Sequence, residues 1–319
     1  MKQTAIVTGA AGFLGSHLVD RLLHDGWSVV GVDNLSTGRR ANLRAASRHP
    51  KFSLLVRDVR KPGVLPAADT VFHLASPASP PKYQKSPIYT LETNSLGTQL
   101  VFRHASASGA RVVLGSTSEV YGDPEMHPQS ETYWGRVNPI GPRSCYDEGK
   151  RFSEALAAAW RREKKLDVRI ARIFNTFGPR MALDDGRVMT NFLVQGWRGE
   201  PITVQGTGAQ SRSFCFVDDL VDGLVRLAGV RAIEGPTNLG NPDAEMTVLE
   251  LAHAIRTLTG ARSEVVHIAR AVDDPERRRP NITKARQVLG WSPVVPFKEG
   301  LQATSDYVRL ELASRRKGR

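Results

Sequence analysis

The stretch Gly9-Ala10-Ala11-Gly12-Phe13-Leu14-Gly15 constrains this chain more than any other. It lies directly after the apolar run 4–8 and directly before the amphipathic stretch 16–24. Glycines at that spacing permit a tight strand-to-helix turn, let backbone amides approach a pyrophosphate, and let the helix pack closely on the sheet. The helix N-terminus then faces the bound negative charge. A chain that opens this way is predicted to build a parallel sheet around a dinucleotide site.

The remaining pattern agrees. Short β-branched runs at 4–8, 28–33, 52–56, 70–74, 111–116 and 168–173 alternate with longer amphipathic segments, including 86–108 and 146–164. That alternation predicts a parallel sheet covered by helices. Beyond Phe174, turn-rich stretches at 178–185 and 205–208 interrupt it, and 213–227 restores strand-then-helix character. The fold class is therefore α/β, a Rossmann-type doubly wound parallel sheet with a smaller mixed α/β substrate-binding lobe. The expected division is a cofactor domain over 1–175, with 213–240 returning to it, a lobe from 176–212 and 241–310, and a basic tail at 311–319.

Composition narrows the function classes. With 40% hydrophobic and 24% charged residues the chain reads as an ordinary soluble globular protein. Its two cysteines, Cys145 and Cys215, are too few for a disulfide framework and do not group with histidines at metal-ligand spacing, so no metal is expected. The N-terminal apolar run breaks into glycines too soon for a signal peptide, and no stretch reaches the roughly 18 apolar residues of a membrane span. A cytoplasmic location follows as the expectation. The excess of 44 basic over 32 acidic residues, a formal +12, favours an anionic partner. A nucleotide-binding scaffold holding RNA would fit the charge, but with 7% aromatic residues there is no ladder of rings to stack bases. Neither nucleic acid nor membrane is expected as a partner.

Asp33 ends the second predicted strand, where a carboxylate accepts hydrogen bonds from the adenosine ribose and repels a 2′-phosphate. NAD is thus expected over NADP, although Arg39 and Arg40 lie close enough to receive such a phosphate. Asp58 and Val59, after the third strand, address the adenine or are ordinary loop residues.

Tyr146 and Lys150 are four apart and share one face of a helix. A free phenol titrates near about 10, so it needs a cation nearby to act as a base, and Lys150 supplies the charge. Ser116, Thr117, Ser118 and Glu119 follow another predicted strand, and ligands in such sheets sit beyond the carboxyl ends of the strands. The hydroxyls suit a reacting hydroxyl or the tyrosine. A simple alcohol oxidation has no use for Glu119, which therefore either adds a chemical step or is a loop carboxylate paired with one of the many arginines.

These residues resemble the extended short-chain dehydrogenase/reductases, the NAD-dependent epimerases and dehydratases of nucleotide sugars. Within them the likeness is to the branch that decarboxylates UDP-glucuronate. It rests on HLASPASPPKY from His73, STSEVYGDPEMHPQSETYWGRVNPIGPRSCYDEGKR from Ser116, FNTFGPRMALDDGRV from Phe174 and QSRSFCFVDDLVDGL from Gln210. GNPDAEMTVLELA and RRPNITKARQVLGW extend it, with Arg279 and Asn281 as small departures around Arg278. The resemblance implies conversion of UDP-glucuronate to UDP-xylose through a 4-keto sugar, with NAD recycled. A 4-epimerase or 4,6-dehydratase is the alternative.

The same resemblance implies roles. Thr117, Glu119, Tyr146, Lys150 and Arg278 would be catalytic. Gly9, Gly12, Phe13, Leu14, Gly15, Asp33, Asn34, Asp58, Val59, Leu74, Ala75, Ser116, Tyr146 and Lys150 would contact the cofactor. Ser118, Asn175, Arg187, Gln205, Arg212 and Arg278 would hold the substrate. It also implies a homodimer formed through 86–108 and 146–164; as a departure from some animal and plant relatives, no N-terminal membrane anchor is expected.

Overall fold

The structure is a computed structural model and describes residues 3–63 and 65–317. Seven parallel strands form its central sheet, in the spatial order Pro236–Leu239, Val168–Ile173, Arg111–Thr117, Thr70–His73, Thr4–Thr8, Ser28–Asp33 and Phe52–Val56. Strand order reverses between Thr4–Thr8 and Thr70–His73, which opens a crevice at their carboxyl ends. All six strands read from the sequence are present, within one residue at their ends.

Alternation along the first strand explains why both faces of the sheet are covered. Ala5 and Val7 point into one apolar core with Leu18 and Leu22 of the helix Phe13–His24, whereas Ile6 points into the other with Val71, Phe102, Val112 and Val168. Each of these side chains is 0–2% exposed, and such burial contributes about 1.5–3 kcal/mol for a Val or Leu.

Two glycines make the first turn possible. Gly9 has φ +72°, and a Cβ on Gly15 would lie 2.0 Å from the Gly9 carbonyl oxygen. The close approach of helix to strand that the spacing predicts is therefore a steric requirement.

The segment expected as one helix over 86–108 is divided. It runs Pro87–Glu92 and Thr98–Ser108, with a wider turn at Thr93–Gly97 between them. Hydroxyls of Thr93 and Ser95 and the Asn94 amide donate to carbonyls four residues back, which accompanies the widened turn. The helix expected over 146–164 spans Ser144–Lys164.

Beyond Phe174 the chain builds smaller units over the crevice. Ile202–Gln205 pairs with Val265–Ile268, and Ser211–Ser213 lies between Glu245–Thr247 and Arg277–Arg278. The last helix, Phe297–Lys317, runs across position 310, where the lobe was expected to give way to a tail; residues 318 and 319 of that tail lie outside the described residues. No described helix is long and apolar enough to cross a membrane.

Candidate active site

A cavity of about 730 Å³ follows the crevice from the glycine turn to the strands above it. One end is lined by Gly9, Gly12, Phe13, Leu14, Gly15, Asp33, Asn34, Val59, Leu74 and Ala75, and the middle by Ser116, Thr117, Ser118, Glu119, Tyr146 and Lys150. The far end is lined by Asn175, Arg187, Gln205, Arg212 and Arg278. Asp58 stands apart, lining a smaller hollow behind Val59; its carboxylate accepts from Arg60 at 2.8 Å and from Asn34 at 3.2 Å. Those partners lower its pKa, the Arg60 hydrogen bond first, against the opposing effect of burial.

The glycine end fits a dinucleotide. Gly12 donates its amide to the Gly9 carbonyl at 3.1 Å, while Phe13 and Leu14 open the first helix with no side-chain cap and present their amides to an anion. Asp33 is 7% exposed and fixed by the backbone amides of Ala11 at 2.9 Å and Leu35 at 2.7 Å. Each oxygen keeps a lone pair for a ribose hydroxyl. Arg39 points elsewhere, pairing with Glu311 at 3.0 Å.

In the middle, Tyr146 is stacked on Tyr83, centroids 5.0 Å apart, and only 6% exposed. Burial and the Glu119 charge push its phenol above the ordinary value, while the Thr117 hydroxyl and Arg187 oppose them. Lys150 donates to the Gly115 carbonyl at 2.8 Å, its Nζ lies 5.9 Å from the Tyr146 ring centroid, and burial lowers its own pKa to about 8. Of the neighbouring groups, the Thr117 hydroxyl most favours the phenolate. Ser116 is likewise engaged, donating to Glu154 at 2.5 Å.

Glu119 is held by two guanidiniums. Arg278 donates to it through both terminal nitrogens, and Arg143 Nη2 does so at 2.6 Å. Burial alone would raise its pKa, but Arg278 and then Arg143 outweigh that and keep it well below the usual carboxylate range. Glu119 is thus paired with arginines, one of the two readings the sequence left open, and it also lines the cavity.

Strand pairing sets up the far end. Arg278 is the register partner of Arg212, which places two guanidiniums side by side, and Asp274 accepts from Arg212 at 2.8 Å. Arg187 pairs with Asp185, and the Asn175 Oδ1 is buried without a partner among the described residues. An unpartnered amide oxygen inside a polar cavity is a place for a ligand donor. Sequence reasoning missed Arg143 and Asp274. Arg143 lies three residues before Tyr146, and that spacing on a helix start was the one available signal.

The arrangement can bind a dinucleotide, take a proton from a hydroxyl at Tyr146, and present a guanidinium and a carboxylate to a second anionic group. Residues 5–240 match the NAD dependent epimerase/dehydratase family. The chain is 52% identical over 311 residues to UDP-glucuronic acid decarboxylase 1 of Danio rerio, covering 98% of this chain and 74% of that one. It is 50% identical over 308 residues to UDP-glucuronic acid decarboxylase 3 of Arabidopsis thaliana, covering 96% and 89%. Among solved structures, UDP-glucuronic acid 4-epimerase of Bacillus cereus, solved with UDP-glucuronic acid and NAD, superposes with a TM-score of 0.88 at 26% identity, covering 97% and 99%. The chain belongs to the NAD dependent epimerase/dehydratase family.

Proposed function

We propose that this enzyme decarboxylates UDP-glucuronate to UDP-xylose through a 4-keto intermediate, with NAD recycled within each turnover. The observation that carries the reading is the Glu119 carboxylate clasped by Arg278 and Arg143 in the same cavity as the Tyr146–Thr117 pair. The names of the Danio and Arabidopsis relatives support it.

Bound NAD supplies the ring that accepts a hydride from the sugar at the first step and returns it at the last; Gly12, Phe13, Leu14 and Asp33 would hold it. Tyr146 takes the 4-hydroxyl proton, with Thr117 steadying the phenolate. The carboxylate at C5 is then β to a ketone, so its bond to the ring breaks as carbon dioxide leaves and the electron pair enters an enolate. Arg278 orients that carboxylate through paired N–H donors. Glu119, anionic beside it, raises the energy of the carboxylate before it departs. A proton drawn from solvent is added to C5 in place of the lost carboxylate, and Tyr146 gives its proton back to the oxygen at C4. Arg187, Arg212 and Asn175 would take the diphosphate and uridine, with Gln205 toward the uracil.

We assign 1–175 with 213–240 to the cofactor and 176–212 with 241–310 to the sugar nucleotide. A homodimer in the cytoplasm completes the proposal. It is supported by Ile88, Leu91, Leu96 and Phe152, apolar side chains 42–72% exposed on the two segments expected to pair. Sedimentation at micromolar concentration tests it, and a monomer would refute it.

The structural likeness to a UDP-glucuronic acid 4-epimerase favours one second reading, epimerisation of the same substrate. Incubation with UDP-glucuronate and NAD separates the two by mass spectrometry. Loss of carbon dioxide supports decarboxylation, and a product of unchanged mass supports the epimerase.

A further inference from the structure

We propose that Arg143 is a positioning residue for Glu119, and that Asp274 ties this pair to Arg212 at the far end of the cavity. The inference rests on the decarboxylase reading and adds to it a residue and a connection.

Five side chains form a row of alternating charge. Arg278 holds Glu119; Arg143 Nη2 holds the same carboxylate at 2.6 Å; Arg143 Nη1 lies 3.7 Å from Asp274 Oδ1; and Arg212 Nη2 donates to Asp274 Oδ2 at 2.8 Å. Each carboxylate thus lies between two guanidiniums. The row's two ends, Arg278 and Arg212, are register partners on neighbouring strands, so it curls back on itself between the positions proposed for the sugar carboxylate and the diphosphate.

Arg143 is poorly explained as a structural tie alone. It is 7% exposed, yet among the described residues its buried Nε has no hydrogen-bond partner, lying 3.9 Å from Asp147 Oδ2, and Asp147 in turn leaves its Oδ1 unpartnered. A buried N–H that has lost water and gained no acceptor is costly, by about 1–3 kcal/mol. Arg143 lines the cavity and stands directly before the helix Ser144–Lys164, so the element that aims Tyr146 also aims Arg143 at Glu119.

The row also has a direction. An anionic diphosphate on Arg212 competes with Asp274 for that guanidinium. Asp274 then turns toward Arg143, and Arg143 loosens from Glu119. Binding of the diphosphate thereby relaxes the neighbouring Glu119 carboxylate.

Charge near Glu119 decides how a variant would titrate. Facing it are Arg278, Arg143 and Arg212, Arg187 just before the helix Val188–Arg198, and Asp147, Tyr146 and Tyr83. Burial raises its pKa and the guanidiniums lower it, so removing Arg143 shifts the balance upward.

The test compares wild type, Arg143→Gln, Arg143→Lys and Asp274→Asn with UDP-glucuronate and NAD across pH, with melting temperature as the folding check. Arg143→Gln should lower kcat about a hundredfold while changing KM less than about threefold. It should also lose activity on acidification at a pH where wild type does not, and Arg143→Lys should restore the wild-type profile. Asp274→Asn should lower kcat and raise KM together, about tenfold each. An unaltered pH profile in Arg143→Gln, no rescue by lysine, or an unaltered kcat in Asp274→Asn overturns the inference. Should Arg143→Gln fail to fold, the lysine and Asp274 variants decide by the same criteria. Wild type that releases no carbon dioxide overturns the decarboxylase reading and this inference with it; active wild type with indifferent variants overturns the inference alone.

Discussion

Arg278 closes both terminal nitrogens on the carboxylate of Glu119, a residue 159 positions earlier in the chain. The pair joins the carboxyl end of a central strand to a short strand of the overlying lobe, so the site is complete only when both parts are folded. Glu119→Gln would leave two buried guanidiniums facing a neutral amide. The expected outcome is a loss of about 3–5 kcal/mol in stability and at least about a hundredfold in pentose formation. Denaturant titration and product analysis measure the two effects; a stable, fully active variant would contradict the role given to the pair.

Tyr146→Phe removes the proton acceptor and little else, because the ring stays stacked on Tyr83. Turnover should fall about 10³–10⁴-fold while NAD affinity holds within about threefold. Single-turnover measurement of nicotinamide absorbance checks the first claim and titration with NAD the second.

Asp33→Asn retains size and loses charge. NAD should bind about tenfold more weakly, and discrimination against NADP should narrow because the repulsion of a 2′-phosphate is gone. Calorimetric titration with both cofactors reads this directly.

His73 is 3% exposed, its ring nitrogens lying 2.8 Å from the Thr8 hydroxyl and 3.1 Å from that of Thr98. Burial, and then the charge of Lys150, push its pKa down to about 3. The folded state therefore favours neutral imidazole, and the unfolded chain binds more protons between the folded value and the ordinary one near 6.5. Stability from this group is complete above pH about 6.5 and is lost as pH falls toward 3, by about 2 kcal/mol at pH 5. In His73→Gln the slope of unfolding free energy against pH over this window should flatten. An unchanged slope would assign the acid sensitivity to other groups.

Gly15→Ala tests the turn. Its Cβ would meet a backbone oxygen, not a flexible side chain, so the loop must move and NAD binding should fail even where the fold survives. Cofactor titration beside a circular dichroism melt distinguishes loss of binding from loss of fold.

Much of this molecule is local in its causes. The Gly9 to Gly15 turn, the alternation of Ala5, Ile6 and Val7 between two cores, and the four-residue spacing of Tyr146 and Lys150 follow from backbone sterics and side-chain periodicity. They could be read from adjacent residues, as could the family likeness of the motifs. The charge state of the site could not. Lys150 donates to the Gly115 carbonyl, the Thr117 hydroxyl favours the phenolate, and Arg143 and Asp274 join a row of charges that no short stretch of sequence announces. Those outcomes depend on burial and on distances between groups far apart in the chain, and the Coulomb energy of a pair is fixed by its separation and by the water excluded around it. Periodicity places a residue on a face; only packing of the sheet against the lobe settles which charges meet there.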